Sequence, residues 1–377
     1  MSHPGDNTAM RKMILTAGPS ITRKEIDYVM DAVKNGWNEN WDLYLKKFEK
    51  GFAGFVGTKY AMATSSCTGA MHLALLSLGI RAGDEVIIPD LAWVATASAV
   101  KYTGAVPVLA DVLEDTWCLS PESIKKCITK NTKAIMPVHL YGHPCEMDEI
   151  KRIARDCNLS VIEDAAQSIG SLYRDKKPGG MGDIGCFSFQ GAKIMVTGEG
   201  GMLVTDNEEL YEKARFYNNH GRDPKGSFWI FEVGYKYKLS NLQAALGFAQ
   251  LERVEELVEK KRLIYKWYKD RLGDIKGIAL NVEKSYVKNS YWMTSLVLAG
   301  DAGIKRDELM KTLKEKYMVD TRTFFYPISE FKPFKTAVEN KTSKRLALNG
   351  INLPSGHNLT EVDIDWVSGS IRKILQR

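Results

Sequence analysis

The chain has 377 residues, 44% of them hydrophobic and 26% charged, with a formal net charge of +6. That length exceeds one ordinary core and calls for a large unit with a smaller one, and no apolar run approaches the roughly 18 residues that a membrane-spanning helix needs. The basic excess is small for the length and lies along amphipathic segments, which argues against nucleic acid as a partner and is compatible with a small anionic ligand.

In chain order, Met1 to Met10 is polar and lacks the apolar stretch of a secretory signal, so segment 1–12 is expected to be flexible and the protein to remain in the cytoplasm. From Lys59 to about Asp206, short β-rich apolar runs alternate with helical patterns. The runs are Tyr60 to Ala63, Glu85 to Pro89, Val106 to Leu109, Ala134 to Val138 and Ser160 to Ile162. Between them lie helix candidates at Gly69 to Leu78, Val94 to Tyr102 and Glu146 to Cys157. This alternation predicts an α/β fold with a largely parallel sheet. Ser240-x-x-Gln243 forms a capping box that opens a helix continuing toward Leu272. After about Gly277 comes a smaller α+β unit, with strands near Trp292 to Leu298 and Val319 to Phe325 and helices near Arg306 to Lys316 and Glu361 to Gln376. The expected division is a large domain over 1–255 and a small C-terminal domain over 256–377. Six cysteines (Cys67, Cys118, Cys127, Cys145, Cys157 and Cys186) are scattered without a Cys-x-x-Cys pair, which favours reduced thiols over a zinc ribbon or a disulfide framework.

Ligands of parallel sheets bind at the carboxyl ends of the strands, and the chemically informative residues fall there. Lys193 ends Phe187-Ser188-Phe189-Gln190-Gly191-Ala192-Lys193, runs into the glycine-rich Thr197-Gly198-Glu199-Gly200-Gly201, and follows Glu163-Asp164-Ala165-Ala166-Gln167. A lysine that binds an aldehyde, an acid for a ring nitrogen and a serine for a phosphate are what pyridoxal phosphate (PLP) asks of a protein. Lys193 would be both its anchor and the acid/base that moves a proton. Asp164 suits the pyridine nitrogen, and would serve equally as a helix N-cap. Ser66-Cys67-Thr68-Gly69, opening a helix, offers backbone N–H groups to the phosphate, and Ser188 could add a hydroxyl. Trp93 could stack on the ring or simply pack in the core, and Gln167 could donate to the ring oxygen or face solvent.

Other residues are less decisive. Arg322 suits bidentate binding of an anionic ligand group and Tyr326 could contact the ligand beside it, with a solvated Arg and a core-edge Tyr as the alternatives. His220 would line the mouth of the site or be a turn histidine. His139 and His143 have the spacing of a helical metal pair, but Gly142 and Pro144 break a helix there, so no metal is expected. No Gly-x-Gly-x-x-Gly follows a strand, which disfavours a dinucleotide-binding dehydrogenase.

These motifs, together with Val100 to Val112, Met136-Pro137-Val138-His139-Leu140-Tyr141-Gly142, Leu239-Ser240-Asn241-Leu242-Gln243-Ala244-Ala245 and Asn352-Leu353-Pro354, resemble the DegT/DnrJ/EryC1/StrS sugar aminotransferases over nearly the whole chain. The resemblance implies a fold type I PLP enzyme, with a mostly parallel seven-stranded sheet between helices, acting as a homodimer with active sites at the subunit interface. It implies an aminotransferase that takes L-glutamate as donor and a nucleotide-linked 4-keto-6-deoxysugar as acceptor, GDP-linked in the first place and UDP- or dTDP-linked as the alternative; a PLP-binding regulator without turnover is a further alternative. By the same resemblance Lys193 is the Schiff-base lysine, Asp164 meets the pyridine nitrogen, Gln167 lies near the ring oxygen, Trp93 stacks, and Ser188, Cys67 and Thr68 surround the phosphate. Related 3-dehydratases carry histidine where this chain has Lys193, so dehydration is disfavoured. Where the family has Gly-x-Asn-x-Arg, reaching the partner's phosphate, this chain reads Gly234-Tyr235-Lys236-Tyr237-Lys238, and Lys236 is expected to meet that phosphate as a point charge.

Overall fold

The structure, a computed structural model, describes residues 12–300 and 302–376, so segment 1–12 lies outside the described residues except for Lys12. Two helices lead, α1 (Arg23–Asn35) and α2 (Leu43–Val56), followed by β1 (Tyr60–Thr64), α3 (Cys67–Ser77), β2 (Glu85–Pro89), α4 (Ala95–Tyr102), β3 (Val106–Ala110), α5 (Pro121–Cys127), β4 (Thr132–Ile135), α6 (Met147–Asp156) and β5 (Ser160–Asp164). The chain continues through β6 (Leu172–Tyr173), β7 (Ile184–Ser188), β8 (Gly201–Thr205), α7 (Glu208–Asn218), α8 (Asn241–Leu251) and α9 (Val254–Leu272). Seven strands form one sheet in the order β1-β8-β7-β5-β4-β2-β3. Every neighbouring pair from β7 to β3 is parallel, and β8 runs antiparallel to both β7 and β1. Helices cover both faces, so the strands read as continuous apolar runs without alternation. Val86, Ile87 and Ile88 are all fully buried.

The C-terminal part comprises β9 (Ile278–Leu280), β10 (Val287–Lys288), β11 (Ser295–Leu298), α10 (Arg306–Tyr317), β12 (Arg322–Thr323), α11 (Lys341–Asn349), β13 (Gly350–Asn352) and α12 (Glu361–Leu375). Its antiparallel sheet has the order β12-β13-β11-β9. A second apolar cluster forms here around Leu296, Leu309, Ile351 and Ile371, and takes in Ile14 from the far end of the chain. Helix α9 serves both clusters, with Leu257 and Val258 in the main core and Ile264, Tyr268 and Leu272 in the second.

The expected helix from Ser240 to Leu272 is broken. Its capping box is present, with the Ser240 hydroxyl accepting from the Gln243 N–H, but α8 stops at Leu251 and α9 starts at Val254. Arg253 leaves the helical region at φ −116°, and its guanidinium bonds Glu25, Glu256 and the Ser20 hydroxyl. Gln250 also donates to the Ser20 carbonyl and to Glu25, so the end of α8 is tied to the start of α1. The expected strands near 292–298 and 319–325 are shorter in the structure. Tyr291 has φ 49° and delays the first to Ser295, while Val319 makes only a single bridge to Ile14.

Glu163, on β5, is fully buried and carries an unusual load for a carboxylate. It accepts from the backbone N–H groups of Gly179 at 2.8 Å, Met181 at 2.6 Å and Gly182 at 2.5 Å, and faces the His139 ring at 2.9 Å. Burial opposes its charge, and these donors, led by His139, hold it below the ordinary carboxylate range. A depressed carboxyl stabilises the fold above its unfolded pKa and ceases to do so as the pH falls through the folded one. We predict that Glu163→Ala, which orphans several donors, lowers the unfolding free energy by about 3–5 kcal/mol in denaturant titrations at neutral pH. The gap from the unsubstituted protein should narrow below about pH 5.

Candidate active site

The parallel strands place the loops after β5 and β7 at one end of the sheet, where α3 also begins. There a cavity of about 470 Å³ opens. The run after β7 folds back on itself: the Gly191 N–H bonds the Gly198 carbonyl at 2.9 Å and the Thr197 N–H bonds the Phe189 carbonyl at 2.7 Å. Gly198, at φ 83°, makes this reversal possible. Lys193 projects from the resulting loop into the cavity, where burial lowers its ammonium to about 8 against the opposing pull of Asp164 and Cys67.

Asp164 ends β5 and is 5% exposed. Its Oδ2 accepts from the Thr96 hydroxyl at 2.8 Å and its Oδ1 from the Ala166 N–H at 3.1 Å. Burial raises its pKa, and Thr96, Ala166, Lys193 and His139 all oppose that rise. No helix starts behind it, which removes the N-cap reading. Gln167 is also buried; its Oε1 accepts from the Tyr141 N–H at 2.9 Å, leaving the amide NH₂ for the cavity it lines. It therefore does not face solvent.

On the other side, Ser66 caps α3, its hydroxyl accepting from the Gly69 N–H. Cys67 and Thr68 are the first residues of the helix, whose opening N–H groups have no intrahelical partners. A Cβ on Gly201 would stand 2.5 Å from the Cys67 nitrogen, so only glycine lets β8 lie this close behind the turn. Ser188 completes that flank. Trp93 is 59% exposed with its ring centroid 5.7 Å from that of Phe325, so it is a wall of the cavity and not a core ring.

The structure thus brings Lys193, Asp164, Gln167, Trp93, Cys67, Thr68, Ser188 and Arg322 around one cavity. Tyr326, His220 and Lys236 are not among its lining in this chain. His220 sits at φ 65° in a turn, its N–H bonded to the Tyr235 carbonyl, and both it and Lys236 are exposed. His139 and His143 flank a single turn with Tyr141 at φ 52°. The His139 Nδ1 accepts from the Cys145 N–H, which leaves the ring proton on Nε2 facing Glu163. Three residues of the site escaped the reading of the sequence: Thr96, Trp292 and Phe325. Only Thr96 had a local signal, since it follows Trp93 by three and lies in the first turn of α4, just after it.

An ammonium, a buried carboxylate and a flank of hydroxyl and free helix N–H donors around one space fit PLP, which carries an aldehyde, a pyridine nitrogen and a phosphate. Comparison with known proteins agrees. The profile of the DegT/DnrJ/EryC1/StrS aminotransferase family matches residues 19–372. The chain is 39% identical over 368 residues to the GDP-perosamine synthase of Caulobacter vibrioides, covering 96% of this chain and 98% of that one. It is also 39% identical over 363 residues to the GDP-perosamine synthase of Escherichia coli O157:H7, with 96% and 98% covered. Among solved structures, DesI in the presence of its TDP-sugar product is similar with a TM-score of 0.91 and 28% identity, over 98% of this chain and 95% of that one. The chain belongs to the DegT/DnrJ/EryC1/StrS aminotransferase family and is a PLP-dependent sugar aminotransferase.

Proposed function

We propose that the enzyme converts GDP-4-keto-6-deoxymannose to GDP-perosamine with L-glutamate as the amino donor. The observation that carries this reading is the 39% identity, over nearly full length, to two GDP-perosamine synthases. The resemblance of Lys133 to Met147 and Gly221 to Val254 to those enzymes supports the same reading. A UDP- or dTDP-linked ketosugar is the second reading, favoured by the likeness to DesI with its TDP-sugar product.

When bound, PLP supplies an electron sink through which an amino group passes from donor to keto carbon. The side chains would divide the work as follows. Lys193 would hold the cofactor and, as a free amine, would move the proton at the donor's α-carbon in one half-reaction and at the sugar carbon in the other. An amine near 8 is well matched to both directions at neutral pH. Asp164 would hold the ring nitrogen, Gln167 the ring oxygen, Trp93 the ring face, and the α3 N-terminus with Ser188 the phosphate. Arg322 would take the donor carboxylate. Tyr326 and His220 would face the sugar from the rim.

The enzyme would work as a homodimer, with Lys236 reaching the partner's phosphate. The exposed apolar run Phe228, Trp229, Phe231 and Val233, beside Lys236 in sequence, supports a covered surface there. We place the protein in the cytoplasm, in keeping with cysteines that are free among the described residues.

The visible absorption band of the PLP-loaded enzyme should bleach with L-glutamate and return with GDP-4-keto-6-deoxymannose. Bleaching that only the UDP or dTDP ketosugar reverses would reject the GDP reading, and no bleaching by any amino donor would favour a regulator. Thr96→Val removes a hydroxyl donor to a charged carboxylate and should lower kcat/KM about ten- to hundredfold, with the melting temperature little changed.

A further inference from the structure

The amine of Lys193 has a resting place that its chemistry alone does not require. None of the ion pairs among the described residues involves Lys193, although Asp164 shares the cavity. Its Nζ lies instead 3.8 Å from the centroid of the Trp292 ring. An ammonium over an aromatic face is attracted to the negative side of the ring quadrupole, most strongly where water is scarce. Trp292 is 7% exposed.

The ring is held from several directions. Its Nε1–H donates to the carbonyl of Ala192, the residue before the lysine, at 2.7 Å. Tyr141 stacks against it at 6.1 Å and 24°, and the Tyr141 hydroxyl accepts from the Phe325 N–H and from the Asn352 amide. The preceding Tyr291 stacks on Tyr265 of α9 at 3.6 Å. Trp292 therefore reaches across from the C-terminal part of the chain as a rigid plate beneath the loop that carries Lys193.

We propose that Trp292 is a positioning residue, its ring face holding the ammonium of Lys193 whenever that lysine is not bound to the cofactor. This rests on Lys193 being the lysine that binds PLP. A free lysine must stay within reach of the reacting carbons, neither lost to solvent nor locked to Asp164. A carboxylate would hold it as an ion pair and resist release of its proton. A π face attracts the charged form more weakly, and lets go of the neutral form that must act as a base.

The other titratable or charged side chains lining the cavity are Asp164, Cys67, Glu199 and Arg322, with His139 behind Asp164. Asp164 and the ring favour the ammonium, and burial disfavours it. Phe and Leu differ little in volume at position 292, and both lack the bond to Ala192, so comparing Trp292→Phe with Trp292→Leu isolates the π face.

The test strips the protein of cofactor and follows the rate at which PLP is recaptured, by its visible band, across a pH series. Capture needs the neutral amine, so its midpoint reports the Lys193 pKa. The Leu variant should have a midpoint about one unit below the Phe variant, because removing the face removes an attraction for the charged form. In the loaded enzymes, the Leu variant should show about a tenfold lower kcat with L-glutamate than the Phe variant, at nearly equal KM. Equal midpoints, or a higher one for Leu, would overturn the proposal. Lys193→Ala separates the two layers of inference: with capture abolished there, equal midpoints sink only the role of Trp292, whereas normal capture by Lys193→Ala sinks the assignment of Lys193 itself.

Discussion

An amine and a carboxylate share one cavity without forming an ion pair, and most of the structure around the site bears on that separation. Burial pushes the two pKa values toward each other, Lys193 down and Asp164 up, while their mutual attraction pushes them apart. A direct contact would neutralise both groups and leave nothing for a substrate to meet. Asp164 is kept in place by Thr96 and by its own turn at Ala166, and Lys193 lies over the face of Trp292.

The sheet supplies the distance. β5 and β7 are parallel neighbours, paired Asp164 to Cys186, so the acid and the lysine loop leave the same edge one strand apart. Behind them Glu163 points to the opposite face and gathers the loop at Gly179 to Gly182 together with His139. Two successive carboxylates on one strand thus do opposite jobs. Glu163 is saturated with donors and serves the fold, whereas Asp164 keeps lone pairs unclaimed by the protein and faces the cavity.

The C-terminal part completes the site. Trp292, Arg322 and Phe325 all come from beyond Gly277 and line the cavity formed at the sheet edge. Helix α9 couples the two cores, because one end of it packs in each. Its start is set by the tie between Arg253, Glu25 and Ser20, so a contact between distant parts of the chain decides where one helix ends and the next begins.

Much of this was legible in the residues themselves. Buried parallel strands need apolar runs without alternation, and 86–89 and 161–162 show them, because burial on both faces acts on successive residues of the strand. Lys193, Asp164, Gln167, Ser188, Cys67 and Thr68 could be brought together on paper because each lies at the end of a strand, in the loop that follows one, or at a helix start, and a parallel sheet sends such positions to one edge. The break at Arg253 could not be read, since its causes lie more than two hundred residues away at Ser20 and Glu25. Trp292 carried no signal for the same reason: its neighbours in sequence are ordinary, and only the packing of the second core on the first sets its ring against Lys193. Local chemistry specifies which groups can act; which of them meet is decided by contacts that no stretch of sequence contains.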